Sequence, residues 1–137
     1  MEGMNVLFVC TANSCRSQMA EALARYLWGG RVRARSAGTS PRPIDPLTLE
    51  VLREAGVDVS GLRPKSLQEV DASECDWVVS LCAEAEESCS AVRGRKGRLH
   101  WPVADPARAT GSREERLRSF RAARDAIRSR LQEWLEG

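Results

Sequence analysis

The chain has 137 residues, five cysteines and a formal net charge of +2 at pH 7. A chain of this length rarely divides its core, so we predict that residues 1–137 form one domain. Hydrophobic residues make up 42% of the chain and charged residues 29%, which suits a globular protein with an ordinary surface. The nearly balanced charge argues against a nucleic-acid partner held by basic side chains. No apolar run approaches the roughly 20 residues that cross a membrane, so we expect no membrane association.

The cysteine count narrows the kind of chemistry. The first residues lack the basic and then apolar layout of a signal peptide, so we expect a cytoplasmic location. We also expect the chain to be a monomer. An odd number of cysteines is uncommon in a secreted disulfide scaffold. Several cysteines in a cytoplasmic protein usually mean metal binding or thiol chemistry.

Short apolar runs alternate with helical patterns along the chain. The apolar runs predict buried strands at residues 5–10, 32–36, 77–81 and 99–101. The helical patterns cover residues 16–28, 46–55 and 112–136. This alternation predicts an α/β fold: a three-layer sandwich with a four-stranded parallel sheet and helices on both faces. Folds of this kind bind ligands at the carboxyl ends of their strands.

The segment between the first strand and the first helix carries the strongest functional pattern. Its backbone N–H groups are expected to form an anion cradle, closed by the positive end of the helix dipole. Arg16 supplies a guanidinium fork that matches two oxygens of a tetrahedral oxyanion. The predicted oxyanion-binding residues are Thr11, Ala12, Asn13, Ser14, Cys15 and Arg16.

Cys10 ends the strand and is expected at the base of this cradle. The amide donors, the helix dipole, Arg16 and the Ser17 hydroxyl all favour a thiolate, so we expect a lowered pKa for Cys10. A thiolate that faces a bound oxyanion is a nucleophile. We therefore predict covalent catalysis by Cys10, with Arg16 and Ser17 as its catalytic neighbours.

Residues 6–21 (VLFVCTANSCRSQMAE) resemble the low-molecular-weight protein tyrosine phosphatase superfamily. They resemble more closely the thioredoxin-coupled arsenate reductases that are built on that fold. Further matches are Ser36-Ala37-Gly38, Val78-Val79-Ser80-Leu81-Cys82, Cys89, His100-Trp101 and Asp105-Pro106. The resemblance covers nearly the whole chain and implies the low-molecular-weight phosphatase fold.

The resemblance assigns Asp105 as the general acid that protonates a leaving oxygen. Tyrosine-specific members of the superfamily usually carry an aromatic residue just after this Asp-Pro pair. Here Ala107 and Arg108 follow, and the chain has one tyrosine and two phenylalanines. A phosphotyrosine substrate is therefore disfavoured. A phosphatase that forms a phosphoenzyme on Cys10 is the alternative function.

Cys82 and Cys89 form a second candidate pair. Their spacing does not suit zinc, which favours two to four residues between paired cysteines, and His100 is the single histidine. We therefore predict neither a metal site nor a cofactor. On a helix the two Cα atoms would lie about 10.5 Å apart, whereas a disulfide needs roughly 7 Å or less. We expect a helix or loop that rearranges on oxidation.

The resemblance implies a thiol relay that reduces arsenate to arsenite. Cys10 forms an adduct with arsenate, Cys82 then bonds to Cys10 and releases arsenite, and Cys89 attacks Cys82. Thioredoxin would reduce the resulting Cys82–Cys89 disulfide. Asp105 acts either on the leaving oxygen or on Cys82. A glutaredoxin or a small thiol as reductant, and a non-enzymatic sensor of trivalent arsenic, are open alternatives.

The two remaining cysteines have no step in this relay. Cys15 lies inside the cradle, where oxidation would allow an off-path disulfide with Cys10. Otherwise we expect Cys15 to be a small buried residue and Cys75 to be structural.

Some relatives of this kind hold a potassium ion behind the loop. The resemblance places Asn13, Glu21 and Ser36 at that site, together with an Asp near position 65. This chain has Lys65 there. We expect the lysine ammonium to occupy the cation position and potassium dependence to be weak.

Overall fold

The computed structural model describes residues 3–88 and 92–136. Its strands are β1 (Met4–Cys10), β2 (Val32–Gly38), β3 (Trp77–Ser80) and β4 (Gly97–His100). Its α-helices are α1 (Arg16–Trp28), α2 (Pro46–Glu54), α3 (Ala83–Ser88) and α4 (Arg113–Glu136). Short 3-10 turns cover Gly29–Arg31, Leu67–Glu69, Ala72–Glu74 and Pro106–Arg108. The predicted strands and helices are confirmed with ends that differ by a few residues, and α3 occupies the segment for which a helix or a loop was expected.

Local sequence explains where α2 begins and α1 ends. The Asp45 carboxylate accepts a hydrogen bond from the Leu47 N–H at 2.9 Å, and Pro46 occupies the first turn of α2. A short polar acceptor before a proline is a common start of a helix. Gly29, with φ of 59°, follows the last residue of α1. Glycine adopts a positive φ at little cost because it has no Cβ to clash, so the helix can end here.

In the described part of the chain, four parallel strands form one sheet in the order β2-β1-β3-β4. The register pairs Cys10 with Gly38 and Val9 with Ser80. Strand β1 therefore lies inside the sheet, and residues 6–9 are fully buried. An interior parallel strand is covered on both faces, which explains its unbroken apolar sequence.

Side chains that alternate along β1 divide the core into two parts. Val6 and Phe8 belong to the larger cluster, which includes residues of α1, α2 and α4. Leu7 and Val9 belong to a smaller cluster with Ala85 of α3 and residues of the 3-10 turns at 67–74. Successive strand residues point to opposite faces of a sheet. The predicted three-layer arrangement, with helices on both faces, is confirmed.

The backbone segments at the carboxyl ends of β1 and β2 lie in close contact. A Cβ added to Gly38 would lie 2.7 Å from the Thr11 carbonyl oxygen and 2.9 Å from the Asn13 backbone nitrogen. The Gly38 N–H also donates to the Lys65 carbonyl at 2.8 Å. Only glycine fits between these two segments, so β2 helps to position the loop that follows β1.

Across residues 3–88 and 92–136, no helix is both long enough and apolar enough to cross a membrane.

Replacing Gly38 by alanine should destabilise the fold and displace the loop after β1. Overpacking of this kind costs about 1 to 3 kcal/mol. Chemical denaturation followed by circular dichroism measures the loss in the free energy of unfolding. Gly30→Ala is the matched control, because a Cβ at Gly30 meets no atom within 4 Å. An unfolding midpoint for Gly38→Ala equal to that of the original chain would contradict this account of the contact.

Candidate active site

Residues 11–15, which we call the anion loop, connect β1 to α1. Several carbonyl groups of β1 and the loop accept hydrogen bonds from backbone N–H groups of the segment 39–45. These bonds join Thr39 to Cys10 (3.2 Å), Ser40 to Thr11 (2.8 Å), Arg42 to Ala12 (2.9 Å) and Asp45 to Ser14 (3.0 Å). The loop is therefore held along its outer edge by the segment that follows β2.

Asn13 is the one residue other than glycine with positive φ in the described chain, at 51°. Its side chain is fully buried. Its Nδ2 atom donates to Ser17 Oγ at 2.7 Å and to Ser36 Oγ at 3.0 Å. Its Oδ1 atom accepts from Gln18 Nε2 at 2.9 Å and from the Lys65 N–H at 2.8 Å. Asparagine tolerates the left-handed region, and these contacts hold it there.

Cys10 lies at the base of the loop and is 2% exposed. Its Sγ atom is 2.8 Å from Ser17 Oγ and accepts a hydrogen bond from the Asn13 N–H at 3.3 Å. Burial raises the pKa of the Cys10 thiol, while the contacts with Ser17 and Asn13 and the charge of Arg16 lower it. The net direction is upward. The predicted lowering of this pKa is therefore wrong for this arrangement, because desolvation of the thiolate outweighs its donors.

Arg16 and Asp105 meet beside Cys10. The Arg16 Nη1 atom donates to the Val103 carbonyl at 3.0 Å, and its Nη2 atom lies 3.6 Å from Asp105 Oδ2. The other carboxylate oxygen of Asp105 accepts from the Ala107 N–H at 3.0 Å. The loop before α4 thus holds both the guanidinium and the carboxyl group. Cys10, Arg16 and Asp105 line one cavity of about 440 Å³.

The residues that line this cavity can be compared with the predicted oxyanion-binding residues. The predicted residues that line it are Thr11, Ala12, Ser14, Cys15 and Arg16. Asn13 and Ser17 are fully buried and are not among its lining residues. Their side chains support the loop and the Cys10 thiol from behind. Sequence reasoning missed the lining residues from distant segments, Ser40, Arg42 and Glu84, whereas Ala107 and Arg108 follow the Asp105-Pro106 pair as the sequence indicated.

Cys82 follows β3 and is buried beside the anion loop. Its Sγ atom lies 3.3 Å from Thr11 Oγ1 and accepts a hydrogen bond from the Ala85 N–H at 3.4 Å. It lines a neighbouring cavity of about 560 Å³. Four residues line both cavities: Arg16, Glu84, Asp105 and Arg108. Cys89 lies outside the described residues, so the proposed rearrangement of the 82–89 segment stays a prediction.

Cys15 and Cys75 are both buried thiols. Cys15 Sγ lies 3.8 Å from Asp105 Oδ1. Burial, together with the nearby Asp105 and Cys10, raises the pKa of Cys15 to about 12. Burial also raises the pKa of Cys75, which accepts a long contact of 3.6 Å from Arg35 Nη2. Both groups are therefore protonated near neutral pH and weak nucleophiles.

A buried ionic cluster lies behind the anion loop. The Glu21 carboxylate accepts from Ser36 Oγ at 2.7 Å, and lies 2.9 Å from Arg25 Nη2 and 3.3 Å from Lys65 Nζ. Burial lowers the pKa of Lys65, and the adjacent Glu21 raises it. The structure thus brings Lys65 to the predicted cation residues. Within residues 3–88 and 92–136, no cluster of His, Cys, Asp or Glu is arranged to hold a metal ion.

A cysteine at the base of an anion loop, faced by a guanidinium and a carboxyl group, defines a site for nucleophilic attack on a tetrahedral oxyanion. The fold around it is that of the small cysteine-dependent phosphatases. The chain belongs to the low molecular weight phosphotyrosine protein phosphatase family, which matches residues 5–137.

Several relatives and solved structures to which this chain is similar are arsenate reductases, and other similar structures are tyrosine phosphatases. The arsenate reductase of Bacillus subtilis (strain 168) is 37% identical over 136 residues, which cover 99% of this chain and 98% of the relative. The structure of an arsenate reductase in the phosphate binding state is 28% identical, with a TM-score of 0.79 and 97% of each chain covered. A thioredoxin-dependent arsenate reductase from Corynebacterium glutamicum is 28% identical, with a TM-score of 0.73; the match covers 98% of this chain and 61% of that one.

Replacing Ser17 by alanine should raise the pKa of Cys10 further, because it removes a contact that lowers this pKa. The thiolate is the species that reacts with iodoacetamide, so the pH profile of Cys10 alkylation should move to higher pH. One hydrogen bond corresponds to a shift of up to about one pH unit. Mass spectrometry of the Cys10 peptide measures the rate.

Ser60→Ala serves as the control for this experiment, because Ser60 is exposed and bonds to Asp58. Its alkylation profile should match that of the original chain. A Ser17→Ala profile that is unchanged, or that moves to lower pH, would show that Ser17 does not stabilise the Cys10 thiolate.

Proposed function

We propose that this chain reduces arsenate to arsenite through a relay of the three thiols Cys10, Cys82 and Cys89. The observation that carries the proposal is the position of Cys82, whose Sγ atom lies 3.3 Å from the Thr11 hydroxyl of the anion loop. Hydrolysis of a phosphate ester needs one nucleophile and one acid. A second buried thiol beside the same loop has no role in such a hydrolysis, whereas thiol–disulfide exchange requires one. The reductase names of the relatives support this assignment.

The first step joins sulfur to arsenic. The anion loop and Arg16 hold the arsenate oxygens, and Cys10 attacks the arsenic atom as a thiolate. One oxygen leaves as water after protonation, for which the Asp105 carboxyl group is the adjacent acid. Arsenic stays in its pentavalent state in the resulting adduct.

The second step moves two electrons to arsenic. Cys82 attacks the Cys10 sulfur, the new S–S bond forms, and the S–As bond breaks with its electron pair on arsenic. Arsenite leaves, and Cys10 and Cys82 have been oxidised to a disulfide. Cys82 lies against Thr11 at the start of α3, so the proposed step requires a movement there that brings the two sulfurs together.

The last steps restore the nucleophile. Cys89 attacks Cys82, frees the Cys10 thiol and leaves a Cys82–Cys89 disulfide. A thioredoxin dithiol then reduces this disulfide, which makes thioredoxin the partner of the chain. We propose that the chain works as a monomer in the cytoplasm.

Phosphatase activity is the second candidate function. The family relation and the grouping of Cys10, Arg16 and Asp105 in one cavity favour it. In this case Cys10 would form a phosphoenzyme and Asp105 would protonate the leaving oxygen. The mouth of the cavity is lined by Ala107 and Arg108 instead of an aromatic side chain, so small phosphate esters suit it better than phosphotyrosine.

Arsenate-dependent oxidation of NADPH, coupled through thioredoxin and thioredoxin reductase, tests the relay. Cys10→Ser, Cys82→Ser and Cys89→Ser should each lower steady-state turnover at least about 100-fold, since each removes a sulfur that forms a bond. In a single turnover without thioredoxin, Cys89→Ser should still release one arsenite per chain. Cys82→Ser should release none.

Cys75→Ala is the control for these variants, because Cys75 lies beneath the sheet against Arg35. It should retain turnover. The reductase assignment fails if the original chain shows no arsenate-dependent oxidation of NADPH. The relay fails if Cys89→Ser turns over normally with thioredoxin. If the original chain turns over only with glutaredoxin or a small thiol, that molecule and not thioredoxin is the reductant.

We also propose that the Lys65 ammonium takes the place of a structural cation behind the anion loop. It lies 3.3 Å from Glu21 Oε1, and its backbone N–H binds Asn13. Activity and unfolding midpoint should therefore be equal in potassium and sodium chloride of the same ionic strength.

Lys65→Gln should lower the free energy of unfolding by about 1 to 3 kcal/mol, since it leaves the buried Glu21 short of a partner. Added potassium should then restore part of the loss. Lys96→Gln, at an exposed position, is the control. Strong and specific stimulation of the original chain by potassium would overturn this assignment.

A further inference from the structure

Charged side chains from separate segments meet around the mouth of the Cys10 cavity. Arg42 comes from the loop after β2, and Glu84 comes from α3. Arg108 comes from the 3-10 turn that Asp105 caps. Together with Arg16 and Asp105, these are the charged side chains among the described lining residues. Arg42, Glu84 and Arg108 have no place in the chemistry of the relay.

The balance of these charges decides whether an anion is attracted or repelled. Within the cavity the Arg16 guanidinium is opposed by two carboxyl groups, Asp105 and Glu84, which give these three side chains a net negative charge when both are ionised. That charge weakens the attraction of the anion loop and the α1 dipole for a dianion. Arg42 and Arg108 make the net charge of the five charged side chains positive. They therefore add to the attraction that Arg16 and the anion loop exert on a dianion.

Arg108 is loosely held. Its Nη2 atom lies 3.6 Å from Glu84 Oε1, and its Nε atom lies 3.9 Å from Asp105 Oδ2. Its side chain is 77% exposed. Exposed ion pairs at such distances contribute about 1 kcal/mol or less, so little holds the guanidinium in place. An incoming anion at the mouth can recruit it.

Arg42 is anchored through its backbone and not through its side chain. Its N–H donates to the Ala12 carbonyl of the anion loop at 2.9 Å. Its exposed side chain has no carboxylate partner among the described residues. The guanidinium is therefore tethered next to the oxyanion site with its charge unneutralised.

We propose that Arg42 and Arg108 form a cationic rim that captures small tetrahedral dianions and delivers them to Arg16 and the anion loop. The rim rests on the proposed function where arsenate is the dianion, and it stands on anion binding alone where inorganic phosphate is used. Rim contacts form on entry and do not change as Cys10 attacks. They therefore act on KM and on the rate of association more than on kcat.

Titration calorimetry measures the dissociation constant of inorganic phosphate, and this constant tests the rim directly. Arg42→Gln and Arg108→Gln should each weaken phosphate binding about threefold to tenfold, and the double variant should lose about the product of the two. The loss should shrink as sodium chloride is raised, because exposed charges are screened. In the coupled assay the same variants should raise KM for arsenate.

Arg118→Gln is the matched control: it removes one positive charge from an exposed position of α4 outside the cavity.

Glu84 gives a test with the opposite sign. Glu84→Gln removes a carboxylate from the mouth and frees Arg108, so phosphate should bind more tightly than to the original chain. A variant that merely disturbed α3 would weaken binding. Glu87→Gln is the control, since Glu87 is exposed on the same helix and does not line the cavity.

Each outcome decides the rim separately from the proposed function. The rim is overturned if the double arginine variant binds phosphate as the original chain does, if Arg118→Gln weakens binding equally, or if Glu84→Gln does not tighten it. A chain that does not bind phosphate at millimolar concentration also overturns it. If the phosphate results are as expected but arsenate is not reduced, the rim stands and the reductase assignment fails.

Discussion

The buried amide of Asn13 donates to Ser17 and Ser36 and accepts from Gln18 and the backbone of Lys65. These partners lie in α1, in β2 and in the segment that follows α2. An unpaired buried amide costs about 1 to 3 kcal/mol per group, so all three segments must be in place before the loop is stable. The left-handed backbone at Asn13, and with it the N–H that points at Cys10 Sγ, depends on this arrangement. The geometry of the nucleophile is thus a product of the whole sheet and its first helix.

Burial has two opposing effects on the thiols. It excludes water from Cys10 and Cys82, which protects the disulfide and arsenic–sulfur bonds of a relay from side reactions. It also disfavours the thiolate that must attack, and for Cys10 this desolvation outweighs Ser17, Asn13 and Arg16. The donors around Cys10 therefore limit a penalty that burial creates. Cys15 lies beside Asp105, whose charge adds to burial in raising the pKa of its thiol to about 12.

The cavity combines a rigid base with an adaptable mouth. At the base, Arg16 is held by the Val103 carbonyl and by Asp105, so its guanidinium is preorganised for an oxyanion. At the mouth, Arg42 and Arg108 are exposed and weakly paired. Because Arg16, Asp105 and Arg108 also line the cavity next to Cys82, the same charges border the cavities of both Cys10 and Cys82. Anion binding and thiol transfer therefore share one electrostatic environment.

The sequence by itself determined the strands, the long helices and the placement of Cys10 and Arg16 at one anion loop, because these follow from periodicity and from a strand–loop–helix pattern within eight residues. It also predicted that Lys65 lies beside Glu21. Tertiary structure alone decided that Asn13 supports the loop from behind, that the pKa of Cys10 is raised, and that Arg42 and Glu84 reach the cavity. Each of these depends on how much water is excluded and on contacts between residues far apart in the chain. Neither the degree of desolvation nor the meeting of distant loops is encoded in a local pattern.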